Sequence, residues 1–247
     1  MNQRFIQSVK INWKKIDCDS YLRGIPALQF EGRVTFDQNV TFFVGENGSG
    51  KSTLLEAIAV AYGFSAEGGT RNYNFSTYDS HSELHEAIEL SKGFQKPVSS
   101  YFLRAESFYN VASKAEDYRR DAAMSEAYYY RNMGGKSLHN QSHGESFLAL
   151  AQGSFAPGGL YLLDEPEAAL SPQRQLTLLI EIHRLANQGA QFIIASHSPI
   201  LLGVPGAKIL SFDDGEIHSC EYEDTESYQV TEMFINHKDY MLKRLLD

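Results

Sequence analysis

The sequence has few cysteines and no long apolar run. Only Cys18 and Cys220 occur among 247 residues, and neither belongs to a CxxC or a Cys/His spacing. That argues against a structural zinc site and against a disulfide framework. No stretch approaches the ~20 apolar residues of a membrane-spanning helix, and the first residues lack the apolar core of a signal peptide. We therefore expect a cytoplasmic protein with no direct membrane insertion.

Positive charge is also scarce. The chain has 22 lysines and arginines against 31 acids, a formal net charge of -9. No basic tail or Lys/Arg-rich run is present, which argues against a large nucleic-acid surface but leaves room for a local patch. The hydrophobic fraction of 43% is enough for a sizeable core. We expect one domain over residues 1–247.

Hydrophobic periodicity predicts alternating strands and helices, an order typical of an α/β fold with a mostly parallel sheet. Helices are predicted over 51–62, 83–90, 145–152, 172–187 and 227–246. Strands are predicted over 5–13, at two places within 27–36, and over 40–44, 98–103, 160–163 and 191–195. A final hairpin of strands 209–212 and 216–220 is expected to turn at Asp213-Asp214-Gly215.

The segment GENGSGKST, residues 45–53, lies between a predicted strand and a predicted helix and satisfies G-x-x-x-x-G-K-[ST]. In such a loop the glycines allow backbone N–H groups to face a phosphate, the lysine reaches the terminal phosphates and the serine ligates Mg²⁺. The loop therefore predicts binding of ATP or GTP. The predicted contacts are Gly45, Asn47, Gly48, Ser49, Gly50, Lys51, Ser52 and Thr53.

The apolar strand LYLL, residues 160–163, ends in Asp164 and Glu165. An acid at the end of the strand beside a phosphate loop can hold Mg²⁺, and an adjacent acid can polarise the attacking water. We assign Asp164 to magnesium and Glu165 to general base. The alternative is a strand that merely ends in solvated acids.

Three segments together resemble the ATP-binding-cassette (ABC) ATPase superfamily. Asp164-Glu165-Pro166 and Ala169-Leu170-Ser171 resemble its Walker B motif and D-loop, and Ser196-His197-Ser198-Pro199 resembles its switch-histidine loop. The resemblance implies a mixed sheet with antiparallel N-terminal strands, a parallel core and a small helical lobe, here at about 105–150. It also implies ATP hydrolysis in a head-to-tail dimer. His197 is then a sensor of the γ-phosphate; a structural histidine is the alternative.

The same family has an LSGGQ-type signature before Walker B, and Gln141-Ser142-His143-Gly144-Glu145 is similar to it at Ser142 and Gly144. The resemblance implies that Ser142, Gly144 and Glu145 contact the nucleotide of the partner chain; an ordinary capped helix start is the alternative. The family's Q-loop glutamine is missing, and its place is taken by Arg104-Ala105-Glu106-Ser107. Glu106 is either its substitute near the metal or a solvated acid. Tyr21 is a candidate for adenine stacking, with core packing as the alternative.

The block Ala195-Ser196-His197-Ser198-Pro199 resembles the SMC/RecF/OLD-type ATPases. Asp164 follows Lys51 by only 113 positions (164 minus 51), which leaves no room for a long coiled coil. The expected function is an ATP-driven homodimeric switch, with ATP and Mg²⁺ as ligands, acting on an unknown protein or nucleic acid. Two alternatives stay open: the ATP-binding subunit of an ABC transporter, and a low-turnover module of a DNA repair or defence complex.

Overall fold

The computed structural model describes residues 4–70, 82–104 and 143–246, with the backbone alone for 143–146. Most of the predicted helical lobe, 105–150, lies outside these residues. The first half of the described chain contains β1 (Ile6–Ile11), β2 (Val34–Thr35), β3 (Val40–Val44), α1 (Lys51–Tyr62), α2 (Leu84–Ala87), β4 (Ile88–Lys92) and β5 (Ser100–Arg104). The second half contains α3 (His143–Ser154), β6 (Leu160–Asp164), α4 (Pro172–Ala186), β7 (Gln191–Ala195), α5 (Pro199–Leu202), β8 (Lys208–Ser211), β9 (His218–Cys220), α6 (Glu226–Asn236) and α7 (Lys238–Leu246).

The strands form two sheets. The smaller has the order β2-β1-β4 and is antiparallel. The larger has the order β5-β6-β7-β3-β8-β9, and all of its neighbours are parallel except β8 and β9, which form the predicted hairpin. The expected α/β fold, with antiparallel N-terminal strands and a parallel core, is therefore confirmed.

The parallel sheet is buried on both faces, which explains why its strands are continuous apolar runs. Every residue of β3, β6 and β7 is buried. Because side chains alternate along a strand, Phe43 and Leu162 pack with α1 on one face, whereas Phe42 and Leu163 pack with α4 on the other. This arrangement places the carboxyl ends of β3, β6 and β7 side by side, beside the first turn of α1.

Three predicted elements are wrong in part. The first strand candidate within 27–36 is instead a 3-10 turn, Pro26–Leu28, because proline fixes a turn-compatible φ and donates no ladder hydrogen bond. The predicted helix 83–90 ends at Ala87, and the strand β4 takes over to pair with β1. The predicted terminal helix breaks at His237, whose φ is -133°. Within the described residues, none of the helices combines the length and the apolarity needed to cross a membrane.

Candidate functional site

The loop between β3 and α1 has the shape expected of a phosphate loop. Gly45, Gly48 and Gly50 all have φ between 84° and 137°, a region that residues with a Cβ rarely adopt. A Cβ at Gly45 would lie 2.9 Å from Asp213 Oδ1, and one at Gly50 would lie 2.8 Å from Ile25 Cγ2. Both glycines are therefore required by the surroundings of the loop as well as by its backbone.

Lys51 begins α1 and is 4% exposed. Its Nζ donates to the carbonyl oxygens of Gly45 and Glu46, both at 2.7 Å. An ammonium group has three N–H donors, and these two hydrogen bonds hold that of Lys51 at the phosphate loop. Burial lowers the pKa of Lys51, and the nearby carboxylates of Glu165, Asp213, Asp164 and Glu167 oppose that shift.

The neighbouring helix residue, Ser52, contacts the end of β6. Its Oγ donates a hydrogen bond of 2.7 Å to Asp164 Oδ1. Asp164 is 7% exposed, and its Oδ2 lies 3.9 Å from Arg104 Nε at the end of β5. A hydroxyl and a carboxylate at this distance are hard oxygen donors of the kind that Mg²⁺ prefers.

The residues described do not converge on a metal cage of three or more acids, histidines or cysteines. Mg²⁺ at phosphoryl-transfer sites is usually held by one or two protein oxygens together with phosphate oxygens of the substrate. The pair of Ser52 and Asp164 fits that mode of binding. Four carboxylates near one lysine would also repel a bare triphosphate, so the charge of the site favours a nucleotide that carries a divalent cation.

Glu165 follows β6 in a left-handed conformation, with φ of 49°. Its N–H donates to the carbonyl oxygen of Ala195, the last residue of β7, at 2.9 Å. A non-glycine residue in this region is uncommon and is often found at functional sites. Asp164 accepts a hydrogen bond from Ser52, whereas Glu165 lines a cavity, so the two acids are not equivalent.

The histidine loop, residues 196–198, follows β7. Glu167 Oε1 accepts hydrogen bonds from Ser196 Oγ at 2.8 Å and from the backbone N–H of His197 at 2.6 Å. Within the described structure, His197 Nε2 is buried and has no hydrogen-bond partner. A buried ring nitrogen of this kind has hydrogen-bonding capacity left for a ligand.

The phosphate loop, Glu165 and His197 line one cavity of about 480 Å³. Its remaining wall comes from the start of α6: Glu226, Ser227 and Val230. The cavity volume falls within the range of small-molecule sites, which is ~300–1,000 Å³. Residues that are far apart in sequence thus meet at a single opening at the carboxyl edge of the parallel sheet, where ligands bind in open α/β sheets.

The structure brings together most, but not all, of the residues proposed from the sequence. The group around the cavity and the metal position includes Gly45, Asn47, Lys51, Ser52, Asp164, Glu165 and His197. Glu106 and Ser142 lie outside the described residues. Gly144 and Glu145 lie in the first turn of α3. Tyr21 is 64% exposed, so its alternative assignment to core packing is wrong.

Two residues of the site were not proposed from the sequence. Asp213 Oδ1 accepts a hydrogen bond of 2.9 Å from the N–H of Glu46 and so braces the phosphate loop from the end of β8. Glu167 braces the histidine loop. Asp213 was interpreted only as a turn residue, and no local pattern marks it as a partner of residues some 167 positions earlier.

Family models match both halves of this site. An AAA domain model matches residues 22–140. A second AAA domain model, whose description also refers to an AbiEii toxin of a type IV TA system, matches residues 146–203. No curated protein matches the chain.

Solved structures with a similar fold include an SMC head domain and a protein of an ABC transporter complex. The SMC head domain of Thermotoga maritima is 15% identical, with 88% of this chain and 99% of that chain covered and a TM-score of 0.45. The CbiO1 protein of Clostridium perfringens, part of the ABC transporter complex CbiONQ, is 15% identical. The match covers 84% of this chain and 88% of that chain, with a TM-score of 0.44.

The two family models together include the phosphate loop, the strand that ends in Asp164 and Glu165, and the histidine loop. Both models describe AAA domains, which are nucleotide-binding hydrolases as a family. The P-loop ATPase resemblance inferred from the sequence is thereby confirmed at the level of the AAA-type domains that the two models describe, over residues 22–140 and 146–203.

Proposed function

We propose that this chain binds Mg-ATP in the phosphate loop and hydrolyses it, and that ATP binding drives a head-to-tail homodimer. The observation that carries the proposal is the meeting of three separate segments at one edge of the sheet. Ser52 lies 2.7 Å from Asp164, and Glu165 and His197 line the same cavity as the loop. This is the set of groups that phosphoryl transfer from a nucleoside triphosphate requires.

Each protein group has a distinct role in the proposed reaction. The loop amides and Lys51 bind the β- and γ-phosphates and offset their charge. Ser52 and Asp164 would hold Mg²⁺, which neutralises the negative charge that develops on the phosphate oxygens. Glu165 accepts the proton of the attacking water, and His197 Nε2 binds a γ-phosphate oxygen.

The start of α3 supports the proposed dimer. Its first turn contains Gly144 and Glu145, and a helix N-terminus is a favourable site for a phosphate. Across a head-to-tail interface, Ser142, Gly144 and Glu145 of one chain would contact the γ-phosphate held by the other. Hydrolysis removes that shared phosphate and releases the clamp, which makes the dimer a switch for a protein or nucleic-acid partner.

A second candidate is a low-turnover ATP-dependent module of a defence complex. It is favoured by the description of the second family model, which refers to an AbiEii toxin of a type IV TA system. The two candidates differ in turnover, since a switch must hydrolyse ATP repeatedly whereas a module held together by ATP need not.

Steady-state hydrolysis and equilibrium binding of Mg-ATP test the proposal. Loss of a general base typically costs 10²–10⁴-fold in rate, so Glu165→Gln is expected to lower kcat by about a hundredfold or more while Mg-ATP still binds. Lys51→Ala is expected to abolish binding. Glu181→Gln, which alters a carboxylate paired with Arg184 on α4, is the control and should match the unmodified chain. Unchanged turnover of Glu165→Gln would overturn the assignment of the base.

A further inference from the structure

We infer that Glu167 is a positioning residue for His197, and that it couples the segment after Glu165 to the histidine loop. This inference rests on the proposed function, because it concerns how the γ-phosphate contact of His197 is held in place. It is carried by side-chain and backbone contacts within one chain.

One carboxylate oxygen of Glu167 holds the histidine loop in place through hydrogen bonds. Glu167 Oε1 accepts from Ser196 Oγ at 2.8 Å and from the N–H of His197 at 2.6 Å. Ser196 Oγ in turn accepts from the N–H of Ser198 at 3.1 Å. Three successive residues are thus tied to Glu167, and the hydrogen bonds from donors to a carboxylate are stronger than those to a neutral acceptor.

A second contact ties the same loop to α4. Ser198 Oγ donates to Gln175 Oε1 at 2.6 Å, and Gln175 Nε2 donates to the carbonyl oxygen of Leu170 at 3.0 Å. The segment 167–175 therefore contacts the histidine loop at both ends, through Glu167 at Ser196 and through Gln175 at Ser198. Any displacement of this segment must also displace His197 or break these hydrogen bonds.

The contacts explain why an acid is suited to position 167. Both groups that face Oε1 are donors, and an ionised carboxylate is purely an acceptor. The buried Oε2 has no hydrogen-bond partner within the described structure, and Lys51 lies close enough for Glu167 to raise its pKa. A glutamine would retain one acceptor oxygen but lose the charge, so it should support the loop only in part.

The coupling has a consequence for the proposed dimer. Ser171 belongs to the segment that resembles the D-loop, and it lies between Glu167 and Gln175. In the proposed dimer this segment would contact the partner chain. Approach of the partner would then be transmitted to His197 through hydrogen bonds. In this way a site completed by two chains could keep hydrolysis low until both chains are in place.

A double-mutant cycle tests the inference in the full chain. Misplacement of a reacting contact by about 1 Å can cost on the order of a hundredfold, so Glu167→Ala should lower kcat by about tenfold or more with the KM for ATP unchanged. Glu167→Gln should restore part of that loss. If Glu167 acts through His197, Glu167→Ala should have no further effect on kcat in a His197→Ala background. Losses that multiply independently would overturn the inference.

Hydrogen exchange of the His197 amide supplies a readout that needs no ATP. In nucleotide-free protein this amide should exchange faster in Glu167→Ala than in the unmodified chain, whereas Glu181→Ala should leave it unchanged. Equal exchange in Glu167→Ala would overturn the positioning role. A chain that does not hydrolyse ATP would refute the proposed function alone, because the exchange measurement would still decide the role of Glu167.

Discussion

Arg104 stands at the end of β5 beside two carboxylates near the proposed metal position. Its Nη1 lies 2.6 Å from Glu56 Oε2, and its Nε lies 3.9 Å from Asp164 Oδ2. The side chains of Arg104 and Glu56 are only 24% and 11% exposed, so removal of the guanidinium leaves Glu56 poorly solvated and without a cation. Arg104 therefore stabilises the corner where β5, α1 and β6 meet.

We predict that Arg104→Gln lowers the free energy of unfolding by about 1–3 kcal/mol, with partial exposure limiting the loss. A second change, Glu56→Gln, should recover part of it, because the two amides can hydrogen bond and the charge of Glu56 is no longer left without its partner. Urea denaturation of the single and double variants is the measurement. If the single variant Arg104→Gln and the double variant were equally stable, Glu56 would tolerate the loss of its partner.

Residues that depend on local spacing were predictable from the sequence. The loop from Gly45 to Ser52 is defined by eight consecutive residues, and Asp164 and Glu165 by an apolar strand that ends in acids. Glu167 was not predicted, because its partners Ser196 and His197 lie 29 and 30 positions further along the chain. The sequence around Glu167 would look the same if its side chain were solvated. The parallel pairing of β6 with β7 brings Glu167 beside the histidine loop.

At the scale of elements, the buried strands were the easiest to predict. The bounds of β3, α1 and β7 agree with the sequence expectation, because continuous apolar runs and helical spacing specify them directly. The strand β4 was missed because its burial is mixed and its pairing with β1 joins residues about 80 positions apart. Tertiary pairing, which sequence periodicity does not report, decides such short edge strands.

The two sheets are linked by one buried side chain. Gln191, which is 1% exposed at the start of β7, accepts from the N–H of Ile6 at 3.0 Å and donates to the carbonyl oxygen of Ile6 at 2.7 Å. The side-chain amide of Gln191 thus bonds β1 to the parallel sheet in the way that a backbone amide of a neighbouring strand would. Ile6 is fully buried, so water cannot replace either hydrogen bond.

We predict that Gln191→Leu destabilises the chain by about 2–5 kcal/mol, since each buried backbone group left without a partner costs roughly 1–3 kcal/mol. The urea midpoint measures the effect. Gln188→Leu is the control, because Gln188 is exposed and its side-chain oxygen accepts from Arg184, which is also exposed. Matching midpoints for Gln191→Leu and its control would show that this link between the sheets contributes nothing to stability.

At the scale of the whole molecule, the proposed dimer would complete the site with groups of a second chain. Part of the rim of the cavity is formed by α6, a helix that has no buried residue. Exposed apolar side chains occur along this rim and the following helix, among them Val230, Met233 and Phe234. In the proposed dimer, the N-terminus of α3 in one chain would face the cavity of the other.

The most direct test of this account is the mass of Glu165→Gln in solution, measured by light scattering with and without Mg-ATP. Without the proposed base, ATP should persist in the site and hold two chains together, so the mass should double when Mg-ATP is added and return to that of one chain when Mg²⁺ is chelated. A variant that binds Mg-ATP yet keeps the mass of a single chain would contradict the two-chain site.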